Sequence, residues 1–157
     1  MTSDASITIA AVSPRDVSQI MPVMTQAFDP AYGEAWTLPQ CLGIMSMPGA
    51  WLIVARGQSE AVGFAMGRTI VAEAELLLLA VAPSAQRSGI GRAVMQTLID
   101  QLRTGGVSKL HLEVRSSNSA HTFYKDLGFV GVGLRKNYYR GATGALADAL
   151  TLTRDIR

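Results

Sequence analysis

A single cysteine, Cys41, stands among 157 residues, so no disulfide can form within the chain and a reducing compartment is expected. Aromatic residues make up only 6% and charged residues 17%. No block of like charge marks an acidic tail or a nucleic-acid stripe. No apolar run approaches the roughly 20 residues that cross a bilayer. Residues 1–6 lack the basic start and apolar stretch of a leader peptide. These absences predict a cytoplasmic protein with neither membrane association nor direct nucleic-acid binding. Three catalytic classes are also disfavoured. The Gly-Lys-Ser/Thr of a P-loop is missing, no nucleophile elbow occurs, and neither His111 nor His121 has Cys, Asp or Glu at metal-ligand spacing, so no metal is expected. Both histidines read as surface or hydrogen-bonded side chains.

What is present fits one globular domain spanning residues 1–157. Hydrophobic residues reach 48%, and the length suffices to bury a core. Net charge is only +2, but it is unevenly distributed. Residues 1–80 carry three basic and seven acidic side chains, and residues 81–157 carry eleven and five. The basic half could meet an anionic ligand.

Alternation predicts a first strand over residues 7–12. Ser13, Pro14 and Asp16 then open a helix whose apolar face is Val17, Ile20, Met21, Met24 and Phe28. Residues 29–36 read as a loop, and Thr37 to Gln40 as the capping box of a shorter helix. Residues 50–56 and 61–70 form a hairpin around 57–60. The continuous apolar run 75–81 reads as a central strand buried on both faces. After Gly89, the four-residue spacing of Ile90, Val94, Leu98 and Leu102 predicts a long helix, stopped by Gly105-Gly106. A strand over 107–115, a short helix around 120–127, and two strands over 129–135 and 146–153 complete the chain. The expected fold is α/β, a mixed central sheet of about seven strands flanked by about four helices.

Strand 75–81, the segment Gln86-Arg87-Ser88-Gly89-Ile90-Gly91 and the helix behind it form a strand–loop–helix unit. Such a unit aims unpaired N–H groups and the positive end of a helix dipole at one point. Glycine lets backbone approach a pyrophosphate closely, and Arg87 and Arg92 can add charge-assisted contacts. A dinucleotide site shares these features, with Glu113 as its acid. It fits less well, because Val94 occupies the third glycine position and the glycines lie well past the strand end. Gly131-x-Gly133 has no helix behind it and reads as structural.

Leu79-Ala80-Val81-Ala82-Pro83 followed by Gln86–Arg92 resembles the cofactor motif of the GNAT (GCN5-related N-acetyltransferase) superfamily. Leu112–Arg115, Asn118 and Phe123–Phe129 continue that pattern. Arg135-Lys136-Asn137-Tyr138-Tyr139 with Asp148-Ala149 is similar to its RimI-like branch, which acetylates the N-terminal alanine of a small-subunit ribosomal protein. The resemblance covers nearly the whole chain. It implies acetyl-CoA as cosubstrate, bound by Leu79, Ala80, Val81, Arg87, Ser88, Gly89, Ile90, Gly91, Arg92 and Asn118. It also implies a ribosomal-protein N-terminus as acceptor and a monomer or weak dimer. One departure stands out: Asn118 and Tyr124 are six positions apart, where the family usually has about seven.

Direct transfer, as the resemblance implies, needs a base for the amine, a donor for the oxyanion and an acid for the departing thiolate. The resemblance assigns Glu113 as base and Tyr124 as acid, with a backbone N–H near Val81 as oxyanion donor. Strand alternation sets Glu113 with His111 and Arg115 on one face, opposite Leu110, Leu112 and Val114. An α-amine with pKa about 8 is roughly one-tenth neutral at pH 7, so a modest carboxylate base suits it. Trp36, Tyr138 and Tyr139 are expected to frame the acceptor. A small amine or antibiotic remains an alternative acceptor. A module that only binds acetyl-CoA is the alternative outside enzymes.

Overall fold

The computed structural model describes residues 6–28, 33–141 and 143–157. The expected loop at 29–36 falls partly outside these residues, at 29–32, as does Ala142 of the Gly-rich connection. A seven-stranded sheet runs in the order β1-β2-β3-β4-β5-β7-β6. Its strands are β1 (Thr8–Ala11), β2 (Ala50–Arg56), β3 (Ala61–Ile70), β4 (Glu73–Val81), β5 (Lys109–Arg115), β6 (Val130–Arg140) and β7 (Leu146–Asp155). All neighbours are antiparallel except β4 and β5, which run parallel because α3 (Ile90–Thr104) crosses over between them. The other helices are α1 (Met21–Ala27), α2 (Leu38–Met45) and α4 (Ala120–Asp126).

Strand alternation divides the core between the two faces of the sheet. Ile53, Ala65, Leu110 and Leu112 pack with Val94, Leu98 and Ile99 of α3. Their neighbours Leu52, Val54, Phe64 and Met66 pack on the other face with Val17, Ile20, Met24 and Cys41. On β5 the expected alternation holds: Leu110, Leu112 and Val114 are buried, while His111, Glu113 and Arg115 lie partly open on the opposite face.

The structure corrects three expectations. Residues 13–28 are not one helix. Pro14–Ile20 is a 3-10 segment, capped by Ser13 and Asp16, and α1 begins only at Met21. Pro22 has no N–H to continue an α-helical ladder, and the Met21 N–H bonds the nearer Ser18 carbonyl instead. The capping box at Thr37 does form, with Gln40 N–H donating to Thr37 Oγ1 and Thr37 N–H to Gln40 Oε1.

Strand β4 is not buried on both faces. Met66 pairs with Leu78 and Gly67 with Leu76, so Leu77 is bulged out of register. The extra residue reverses the facing of everything after it. Leu76 therefore joins the core on the α3 side and Leu78 the opposite core. Leu77, Leu79 and Val81 are left half-exposed.

The third correction concerns β6, which continues to Arg140 instead of ending at Arg135. Pairing with β7 lapses between Arg135, opposite Ala149, and Tyr139, opposite Ala147. Asn137 sits in this bulge with φ 55°, a left-handed geometry that Asn tolerates better than most residues. Its N–H donates to Asp148 Oδ1 at 2.8 Å, which fixes the bulge.

Candidate active site

Strands β4 and β5 pair only from Glu73–Lys109 to Leu76–Leu112. Beyond Leu76, β4 stays bonded to β3 as far as Val81, while its edge toward β5 is unpaired. The strands splay here, and two clefts open at the gap, one of 790 Å³ and one of 350 Å³. Both are lined by Phe28, Leu79, Asn118, Ala120 and Tyr124, so they meet at these side chains.

The larger cleft runs from Leu79, Ala80 and Val81 to the start of α3. Arg87, Gly89, Ile90, Gly91 and Arg92 line it. Ser88 does not line it; its hydroxyl donates to the Ala85 carbonyl and braces the turn. Gly89 is the residue preceding α3 and adopts φ 84°, and Arg87 is also left-handed at φ 61°. Left-handed residues of this kind can bring neighbouring N–H groups to one side of a loop. No side chain caps this helix, and its first turn holds no acidic residue. The N–H groups and positive dipole end of α3 are thus open to an anion. These features suit an anion such as a pyrophosphate.

Asn118 stands where the clefts join. Its Oδ1 accepts the Ala120 N–H at 2.9 Å, just ahead of α4. The side-chain NH2 is the group left to face the clefts. Tyr124 is 7% exposed, and its ring packs edge-on against Phe123 and Phe129. Burial pushes its phenol well above the ordinary range, so it stays protonated at neutral pH.

The smaller cleft holds Trp36, Tyr138, Tyr139 and the carboxylates Glu34, Glu75 and Glu113. The structure therefore brings all three aromatic side chains expected at the acceptor to one place, together with Glu113. Glu113 Oε1 lies 3.4 Å from Arg135 Nε, and that guanidinium sits over the Tyr138 ring at 5.2 Å. Tyr138 meets Tyr139 edge to face at 5.3 Å. The Tyr139 phenol is pushed up to about 12, first by burial and then by the charges of Glu34 and Glu113.

Glu34 and Glu75 also line this cleft, Arg115 and Arg135 pair with its carboxylates, and sequence reading did not single out these four as site residues. Glu34 lies in a loop without periodicity, and its ion pair with Arg115 bridges distant segments. The signal for Glu75 was present but masked: it opens an apolar run, and only the pairing register shows which way it points. The histidines lie elsewhere. His111 bonds Glu73 at 3.0 Å and Thr153 at 3.2 Å, as a hydrogen-bonded surface side chain should. His121 differs from expectation, because its Nδ1 is buried without a partner among the described residues. No group of three His, Cys, Asp or Glu among the described residues could hold a metal ion, and no helix there is long and apolar enough to cross a membrane.

The chain resembles known proteins in both sequence and fold. Residues 18–129 match the model of the Acetyltransferase (GNAT) family. A 94-residue segment is 40% identical to the [ribosomal protein bS18]-alanine N-acetyltransferase of Haemophilus influenzae, covering 60% of this chain and 64% of that protein. That match thus spans less than two thirds of the relative. The N-alpha-acetyltransferase RimI of Mycobacterium tuberculosis is 35% identical over 99% of this chain and 97% of its own. The crystal structure of the ribosomal-protein-S18-alanine N-acetyltransferase from Escherichia coli superposes with a TM-score of 0.86 at 30% identity, over 96% of this chain and 94% of that one.

Proposed function

Because the chain belongs to the GNAT acetyltransferase family, in its RimI-like branch, we propose that it acetylates the α-amino group of an N-terminal alanine of a small-subunit ribosomal protein, using acetyl-CoA. The observation that carries this reading is the meeting of the two clefts at Tyr124 and Asn118. One cleft has the features of an anion cradle, and the other is lined by carboxylates and aromatic rings. An activated acyl donor and a cationic amine would converge there.

The N–H groups at the start of α3, with Arg87 and Arg92, bind the cosubstrate's pyrophosphate. The unpaired edge of β4 beyond Leu76 offers peptide N–H and C=O groups to its amide-bearing arm, as a sheet edge does to an added strand. Acetyl-CoA, once bound, supplies the thioester-activated acetyl group. Glu113 takes a proton from the incoming ammonium, directly or through one water, and so leaves a nucleophilic nitrogen. That nitrogen attacks the thioester carbonyl carbon and forms the C–N bond. As the C–S bond breaks, Tyr124, held protonated by burial, passes its proton to the departing sulfur while the second proton shed by the nitrogen replaces it, so no phenolate remains.

The test is thiol release from acetyl-CoA with three acceptors: an alanine-starting ribosomal peptide, an internal-lysine peptide and a polyamine. The proposal expects the first to dominate. It also expects Glu113→Gln to lose turnover while keeping acetyl-CoA affinity. A large loss of cosubstrate binding in that variant would contradict the role given to Glu113. The carboxylate lining of the smaller cleft supports a second reading, a polyamine acceptor, and turnover of the polyamine alone would establish it.

A further inference from the structure

We propose that Arg135 is a resident cation on Glu113, exchanged for the acceptor's ammonium when the acceptor binds. This rests on the reading of Glu113 as the residue that receives the amine. Two guanidinium groups pair with carboxylates of the smaller cleft, and they are held very differently. Arg115 is 12% exposed, pairs with Glu34 at 2.9 Å and donates to Ser117 at 2.8 Å. It is locked in place. Arg135 is 61% exposed and approaches Glu113 only to 3.4 Å, beyond the roughly 2.7–2.9 Å of a formed charge-assisted hydrogen bond.

Glu113, at 22% exposed, sits on an interior strand of the sheet, so its backbone is held in place. Arg135 can leave. Its long side chain projects from the outermost strand of the sheet, at the edge of the β6 bulge. Water reaches most of it, and the Tyr138 face 5.2 Å away holds it by a cation–π contact that does not depend on Glu113.

The exchange is favourable in charge as well as in space. At pH 7 about nine-tenths of α-amines arrive as ammonium. The cleft already carries Glu34, Glu75 and Glu113, with Arg115 committed to Glu34. Replacing one cation by another on Glu113 keeps that balance. The acceptor's N–H groups then face the carboxylate that is to take their proton. Arg135 is thus a positioning residue that competes with the substrate for one anion.

Competition predicts an outcome opposite to that of a binding residue. In Arg135→Gln, the KM for whichever amine the wild type acetylates should fall about two- to fivefold at low salt, the range of an exposed ion pair. Arg135→Lys, which keeps the cation, should return KM to the wild-type value. The KM for acetyl-CoA, bound in the other cleft, should not move. An unchanged or higher acceptor KM in Arg135→Gln would overturn the exchange, and so would failure of the lysine variant to restore it. If the wild type acetylates none of the three amines, the acetyl-transfer reading fails and the exchange falls with it. If the polyamine proves to be the acceptor, only the choice of acceptor changes, and the KM comparison still decides the role of Arg135.

Discussion

Glu34 and Arg115, 81 positions apart in the chain, form an ion pair of 2.9 Å in which the side chains are 17% and 12% exposed. It ties the connection ahead of α2 to the last residue of β5, and so closes one side of the smaller cleft. An interaction this sheltered contributes more than a surface pair. Glu34→Gln removes the charge at nearly constant shape and should cost about 1–2 kcal/mol. For a domain of this size that is a fall in Tm of about 2–8 °C, read by thermal denaturation. Acceptor KM should rise in the same variant, because the cleft wall loosens.

The two glycines at the start of α3 should respond in opposite ways to alanine. Gly89 has φ 84°, so Gly89→Ala should destabilise the protein by about 1 kcal/mol although its Cβ would meet no atom within 4 Å. Gly91 is helical, and a Cβ there would make only ordinary contacts with Phe123 and Val81, at 3.5 and 3.6 Å. Gly91→Ala should therefore raise stability by up to about 0.5–1 kcal/mol through helix propensity. It should nonetheless weaken acetyl-CoA binding, because the new methyl projects into the cosubstrate cleft. Urea denaturation and equilibrium binding on the same protein separate the two effects.

Tyr124 and Tyr139 both ionise above the ordinary tyrosine range. Their folded pKa values exceed the unfolded value of about 10. The stability this contributes is fully present below pH 10 and is lost as pH rises through the folded values, about 12 for Tyr139. Ultraviolet titration should show both phenols ionising late, with the latest step absent in Tyr124→Phe. That variant should fold normally and lose about 10²-fold or more in kcat.

Val71 lies in the turn between β3 and β4 with φ 58°, and it is 95% exposed. A β-branched residue is strained there, and so exposed a side chain forfeits no packing when replaced. Val71→Asn should raise stability by about 1 kcal/mol, measured as a higher denaturation midpoint with unchanged activity.

Local patterns made much of this legible in the sequence. The alternation of His111, Glu113 and Arg115 with Leu110, Leu112 and Val114 fixed the orientation of the base candidate. The four-residue spacing behind Gly89 placed α3. Features that depend on register were not legible. Four apolar leucines, Leu76 to Leu79, carry no alternation, so the bulge at Leu77 leaves no trace in composition, yet it decides which of them face the clefts. In β6 the polar stretch Arg135-Lys136-Asn137 conceals a strand, because it lies at the sheet edge, where side chains need not be apolar. The Glu34–Arg115 pair needs the tertiary fold before its partners meet.

The central claim is transfer to an α-amino nitrogen, and the most direct measurement is tandem mass spectrometry of one peptide after reaction with acetyl-CoA. The peptide starts with a free alanine and carries internal lysines, so it offers both kinds of amine in one molecule. The account predicts the acetyl group on the alanine α-nitrogen, and none on the same peptide when that nitrogen is blocked. Acetyl groups on the lysines, or an unmodified peptide, would contradict it.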